Sequence, residues 1–182
     1  MLINKLDSII NNFFQNNYTT FWKEFFIYIA YVWDKYGILL LSLLFIIFLF
    51  YNKKYLRIFF LLFMLLFWAL ITYVLKCFFM RERPINMIID YSGYSFPSGH
   101  SIFAILFYGL FLYLWLDLIK NKYIKLFFIV LSLILSTLII ISRLYLSVHY
   151  FSDVLWWIII WFFLLFTWIY IFKFINKKIW KN

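Results

Sequence analysis

Histidine and proline are almost missing from this chain. It has two of each, a single cysteine, and seven acidic residues against seventeen basic ones. The lone Cys77 excludes an intrachain disulfide and reads as a small buried apolar residue beside Lys76. Charge of any sign is scarce, at 13% of 182 residues, while 68% are hydrophobic. A soluble core of this size cannot hide so much apolar surface, so lipid must solvate most of it. The apolar runs are continuous rather than alternating, which excludes a transmembrane β-barrel. The net charge of +10 sits in short clusters between those runs. With no basic face long enough to track a backbone, no nucleic-acid partner is expected. The first twenty residues hold Asp7 and several Asn but no small-residue cleavage site, and are not read as a secretory signal.

What is present is apolar helix. Five stretches, about residues 37–51, 55–79, 101–118, 124–141 and 154–172, bracket the roughly 20 residues needed to cross hydrocarbon, the first being short. A sixth, about 19–33, is wetter, with Lys23 and Glu24 near its edge. It is taken as a first span, an interfacial helix being the rival reading. Ile3, Leu6, Ile9, Ile10, Phe13 and Phe14 recur at helical spacing and predict an amphipathic helix on the membrane surface. The expected fold is therefore all-α. It is a polytopic membrane bundle of about six transmembrane helices with an N-terminal amphipathic helix, one domain over residues 1–182, without repeat or linker.

Basic residues set the expected orientation. Lys53, Lys54 and Arg57, then Lys120, Lys122 and Lys125, then Lys173, Lys177, Lys178 and Lys181 fall on one side of the alternating spans. The positive-inside rule assigns that side to the cytoplasm. Lys76, Arg81, Arg83, His100, Arg143, His149 and Asp153 fall on the other. Cations there oppose the rule, and a bound anion supplies their reason.

Both histidines and both prolines lie in that second set. Lys76 and Arg83 are seven apart, two helical turns, so both face one way from the end of a span that Pro84 stops. Arg81 reads instead as a snorkelling anchor and is left out of the site. Pro97-Ser98-Gly99-His100 opens an apolar span. A helix start offers free N–H groups and the positive dipole end to an anion; Ser98 adds a hydroxyl, Gly99 permits close approach, and the His100 imidazole could protonate a departing oxygen. His149 and Asp153, four apart, share a helical face. The carboxylate fixes one ring nitrogen and leaves the other as a nucleophile. Arg143 offers a planar fork to phosphate oxygens. Each piece alone has a bland explanation as an anchor, an N-cap or a surface pair. A chain this poor in titratable groups does not gather all of them by accident. His100, His149 and Asp153, with Glu82 or Asp90, are too few beside the cations to hold a metal, so none is expected.

Lys76-x6-Arg83-Pro84, Pro97-Ser98-Gly99-His100 and Ser142-Arg143-x5-His149-x3-Asp153 resemble, without a substitution, the three motifs of the type-2 phosphatidic acid phosphatase superfamily. The resemblance covers residues 76–153. It implies a six-helix membrane bundle with an extracytoplasmic site that needs no metal or other cofactor. His149 would attack phosphorus, Asp153 would orient it and His100 would protonate the leaving oxygen. Lys76, Arg83, Ser98, Gly99 and Arg143 would hold the phosphoryl oxygens. The same superfamily includes soluble vanadium haloperoxidases, against which the lipid-like composition speaks.

The expected activity is hydrolysis of a lipid phosphate or diphosphate through a phosphohistidine, with substrate arriving laterally from the bilayer. Residues 85–96 leave little material for a headgroup cap, which favours undecaprenyl (polyprenyl) diphosphate. Phosphatidylglycerol phosphate follows, then lipid A phosphate and phosphatidate. A lipid-phosphate translocator and a lipid phosphotransferase are the alternatives. The partners expected are the substrate and membrane lipids, with no obligatory protein partner. Usage rich in Asn, Lys, Ile and Phe hints at an AT-rich bacterium, so the expected location is a bacterial inner membrane, with the basic clusters placing the site on the periplasmic face.

Overall fold

The computed structural model describes residues 2–179. Lys181 of the basic tail lies outside them, as does the side chain of Lys178. Seven helices and no strand occur among the described residues: α1 (Leu2–Asn16), α2 (Thr20–Val32), α3 (Lys35–Tyr51), α4 (Tyr55–Phe79), α5 (Gly99–Trp115), α6 (Lys122–Tyr145) and α7 (Phe151–Ile179). Local chemistry sets their ends. The Thr19 hydroxyl accepts from Trp22 N–H to start α2, and the Asn121 side chain accepts from Tyr123 and Ile124 N–H to start α6. Met80, in the left-handed region at φ 43°, ends α4 and returns its N–H to the Lys76 carbonyl.

α4, α6 and α7 are each long and apolar enough to cross a membrane. The segment expected as a first span at 19–33 forms α2, whose thirteen residues do not meet this test alone. α2 and α3 are instead a pair bent by 48°, which together pass the same test. Both ends of α2 stay near the candidate site. Thr19 N–H donates to Tyr145 Oη at 3.0 Å, and Asp34, just past α2, lies 3.9 Å from His100. Thirteen residues rise only about 20 Å, short of the hydrocarbon thickness. Gly37 permits the bend, because a Cβ there would sit 1.8 Å from the Val32 carbonyl oxygen. α4, α6 and α7, with the bent α2–α3 pair, are thus the helices among the described residues that meet this test for crossing. α1, the expected amphipathic helix, packs on α6 and α7 at the site-bearing end.

α5 is the central helix, flanked mainly by α6 and α7. Gly109 lets α7 close on it, since a Cβ there would meet Leu165 Cδ2 at 2.6 Å. Near the basic end, Phe45, Leu49, Phe60, Leu61, Leu114 and Phe172 form one buried cluster, in which Phe60 meets Phe172 edge-on at 4.7 Å. The same end is clasped by Arg57, which pairs with Asp117 at 2.5 Å and bonds the Leu114 carbonyl. Leu40, Leu44, Leu66, Leu70, Phe163 and Phe166 point outward. In a bilayer this costs nothing, because lipid is their solvent. Cys77 is exposed among such residues rather than buried as expected.

Candidate active site

The motif residues converge although their helices are far apart in sequence. Lys76, Arg83, Gly99, His100 and His149 line one cavity of about 350 Å³, with Asp34, Ile38, Trp68, Thr72, Tyr91, Ser92 and Gly93. Lys76 comes from the last turn of α4. Arg83 does not share that helix, as its spacing suggested. α4 ends at Phe79, well before Pro84, because Met80 turns left-handed, and Arg83 reaches the cavity from the loop beyond. Ser95 pins this loop: its N–H and hydroxyl donate to the Arg81 carbonyl and its hydroxyl to that of Glu82. Ile88 N–H donates to the Leu146 carbonyl at 3.1 Å, tying the loop to the end of α6.

Arg83 donates to the carbonyls of Gly93 (2.9 Å) and Val148 (2.7 Å), and its Nη1 lies 3.5 Å from His149 Nε2. Its guanidinium is therefore fixed before any ligand arrives. The Lys76 ammonium donates to the Tyr94 carbonyl. Arg143 is fully buried: Nε donates to Ser142 Oγ (3.1 Å) and Nη1 to Tyr91 Oη (3.3 Å), while Nη2 has no partner among the described residues. A buried guanidinium nitrogen left unpaired is expensive unless a ligand completes it.

Ser98 caps α5 only by its backbone. Its buried hydroxyl turns away to Ser101 Oγ at 2.9 Å and does not line the cavity. Gly99 and His100 begin the helix, so its free N–H groups open toward the cavity. Thr72 Cγ2, at 3.8 Å, is the nearest atom to a Cβ placed at Gly99. Among the described residues no atom forbids a side chain there.

His149 precedes α7 and Asp153 lies in its first turn, yet the pair still faces. His149 Nδ1 is 3.8 Å from Asp153 Oδ2, beyond a direct hydrogen bond, while Nε2 turns toward Arg83. Burial pushes the imidazole down to about 4, with Arg83 adding to it and Asp153 opposing. At neutral pH the ring is uncharged, and Nε2, facing the Arg83 donor, can present its lone pair to a phosphoryl group that displaces that contact.

Four participants were missed by sequence. Asp34 stands at the α2–α3 break with its carboxylate unused as a cap, facing His100 Nε2. Tyr91 lies under both Arg83 and Arg143, with ring centroid distances of 5.3 and 5.8 Å. Arg81, set aside as a membrane anchor, instead pairs with Asp7 at 2.8 Å and Asp153 at 2.5 Å. A lone acid in an apolar chain was the available signal for Asp34 and Asp7; Tyr91, one of fifteen tyrosines, offered none. Among the described residues no three His, Cys, Asp or Glu side chains gather as a metal cluster.

A PAP2 superfamily model matches residues 57–176. A solved structure, of a transmembrane PAP2-type phosphatidylglycerolphosphate phosphatase from Bacillus subtilis, is similar with a TM-score of 0.79 and 26% identity. The similarity covers 98% of this chain and 88% of that one. No curated protein sequence matches significantly. The family match spans more than half the residues and the shared fold nearly all of them, so this chain belongs to the PAP2 superfamily and has the fold of its membrane phosphatases.

Proposed function

We propose that the protein hydrolyses the phosphate of a membrane lipid through a phosphohistidine on His149, without a metal. The observation that carries this is a cavity-lining His149 whose Nε2 faces preset cations: Arg83 at 3.5 Å, Lys76 in the same cavity, and Arg143 with an unspent donor. In the first step the Nε2 lone pair forms an N–P bond as the P–O ester bond breaks, and His100 gives its proton to the leaving oxygen. In the second step water attacks phosphorus, the N–P bond breaks, and His100 takes the proton back. Lys76, Arg83, Arg143 and the α5 N–H groups hold the three phosphoryl oxygens as charge develops, the usual source of most phosphoryl-transfer rate. Ser98 acts through Ser101 as a brace for this helix start rather than as a direct donor. Asp34 lies 3.9 Å from His100 Nε2, near the proton this ring would exchange.

Two substrates lead. Phosphatidylglycerol phosphate is favoured by the activity named for the Bacillus subtilis protein, which shares nearly the whole fold. Undecaprenyl diphosphate is favoured by the short loop over the cavity, which leaves no elaborate headgroup pocket. The site faces the periplasm of a bacterial inner membrane, opposite the Lys53–Arg57 and Lys120–Lys125 clusters. Phosphate release from both lipids by purified protein in detergent with EDTA is the test. Turnover that persists in EDTA and vanishes in His149→Ala is expected, with phosphatidylglycerol phosphate the faster substrate. Activity lost to EDTA and restored by magnesium or zinc would overturn the metal-free mechanism.

A further inference from the structure

Asp153 is fully buried, and its geometry raises the question of what aims it. Oδ2 accepts from Tyr150 N–H at 3.0 Å and faces His149, while Oδ1 is taken by Arg81 Nη1 at 2.5 Å. Arg81 is in turn held from outside the motifs. Its Nη2 donates to Asp7 Oδ2 at 2.8 Å, its Nη1 reaches Ser152 Oγ at 2.8 Å, and its guanidinium lies 4.1 Å over the Tyr150 ring. Asp7 is the one buried residue of α1. Its Oδ1 accepts from Ser152 N–H at 2.8 Å and its Oδ2 from Ser152 Oγ at 2.7 Å. It therefore caps the start of α7, the helix that carries Asp153, from another helix.

One turn along the same face, Asn11 Oδ1 accepts from Ser147 Oγ at 2.9 Å. α1 thus turns its polar face to the 147–153 segment, while Leu2, Ile3, Ile9 and Phe13 point outward. A membrane anchor alone needs no such grip, and a buried carboxylate is costly unless its partners repay it. Without Arg81, Asp153 would be a buried anion with no fixed countercharge. Without Asp7, Arg81 would be free to swing toward a phosphoryl group and abandon Asp153.

We propose that Asp7 and Arg81 are positioning residues of the reaction: α1 and the α4–α5 loop together aim Asp153 at His149, and so orient the nucleophile. This rests on His149 being the nucleophile, as read above. Outer partners that orient a reacting ligand commonly change rate by roughly 10–100-fold when removed.

The experiment compares full-length Asp7→Asn, Arg81→Gln and Arg81→Lys in detergent, with kcat and KM measured on p-nitrophenyl phosphate and on phosphatidylglycerol phosphate. Arg81→Gln should lower kcat at least roughly tenfold on both substrates, Asp7→Asn less, and Arg81→Lys should recover part of the loss, with KM nearly unchanged. In an Asp153→Asn background, Arg81→Gln should add less than about threefold, because its effect passes through that carboxylate. Unchanged kcat, an additive loss in that background, or a KM effect confined to the lipid would each overturn the proposal. Should Arg81→Gln fail to fold, Arg81→Lys and Asp7→Asn decide it by the same readouts. An inactive wild type indicts the phosphatase reading; an active wild type with indifferent variants indicts this one.

Discussion

Adding one methyl group at Gly99 separates folding from catalysis. A Cβ there would lie 3.8 Å from Thr72 Cγ2 and 4.0 Å from Trp68 Cζ2, ordinary contact distances, so the fold has room for it. Gly99 is the first residue of α5, where alanine also reduces the entropy of the unfolded chain, worth about 0.4–1 kcal/mol. Gly99→Ala should therefore melt at or slightly above the wild-type temperature. The bound phosphoryl group would not share this tolerance. Thr72, Trp68 and Gly99 all line the cavity, so the methyl enters the space where oxygens meet the helix-start N–H groups. An oxygen accepts an N–H at about 2.9 Å, but a methyl carbon keeps it roughly 3.5 Å away. The resulting displacement of roughly 0.6 Å should cost on the order of 10- to 100-fold in rate, or about 1.4–2.7 kcal/mol of barrier. Phosphate release and thermal unfolding of one detergent preparation read both effects. A folded Gly99→Ala protein with wild-type kcat/KM would refute the assignment of the phosphoryl group to the start of α5.

His100→Ala should slow a lipid phosphate far more than p-nitrophenyl phosphate, whose leaving oxygen scarcely needs a proton; equal losses would make His100 a binding residue instead. That variant also leaves His149 as the sole histidine, so its titration in the absence of substrate is unambiguous. The midpoint should fall near 4, since burial disfavours the imidazolium, and a midpoint near 6.5 would contradict the buried geometry. The sign for stability follows: the unfolded chain takes up this proton first, so His149 should cost the fold about 3 kcal/mol as pH falls from 6.5 to 4. In a Cys77→Ala background, a membrane-impermeant thiol reagent on intact cells should label a cysteine at Asn86 and spare one at Lys120. Lys120 is preferred to Asn121, whose side chain caps α6; the reverse labelling would put the site in the cytoplasm.

The helices were legible because lipid imposes one strong rule: backbone must be satisfied internally, so long apolar runs become helices. α4, α6 and α7 follow it closely. The 19–33 segment was harder to read, because its course is set by a tertiary contact with Tyr145 and by the bend near Gly37 rather than by its composition. The catalytic motifs were legible for a different reason. His149, His100, Lys76 and Arg83 are costly residues in such a chain, so their presence alone demanded a ligand. Arg83 illustrates the limit. Spacing put it on the α4 helix with Lys76, but no pattern announced that Met80 would end that helix early.

Of the acids at the site, the sequence reading took Asp153 and passed over Asp7 and Asp34. Cations in an apolar chain invite an anionic ligand, and that inference works without knowing their neighbours. An acid carries meaning only through its partner, and partners are distant in sequence: Asp7 meets Arg81 seventy-four residues on, and Asp34 meets His100 across the α2–α3 break. Of seven acidic residues, Asp7, Asp34 and Asp153 converge on the candidate site. Cations alone would bind phosphate and hold it. Catalysis also requires that the two imidazoles be aimed, and Asp153 facing His149 and Asp34 facing His100 stand where they can orient the rings. The basic residues thus announce the ligand and take up its developing charge, while the acidic ones aim the rings. That is why a reading built on charge clusters recovers the ligand class before the partners that orient the reaction.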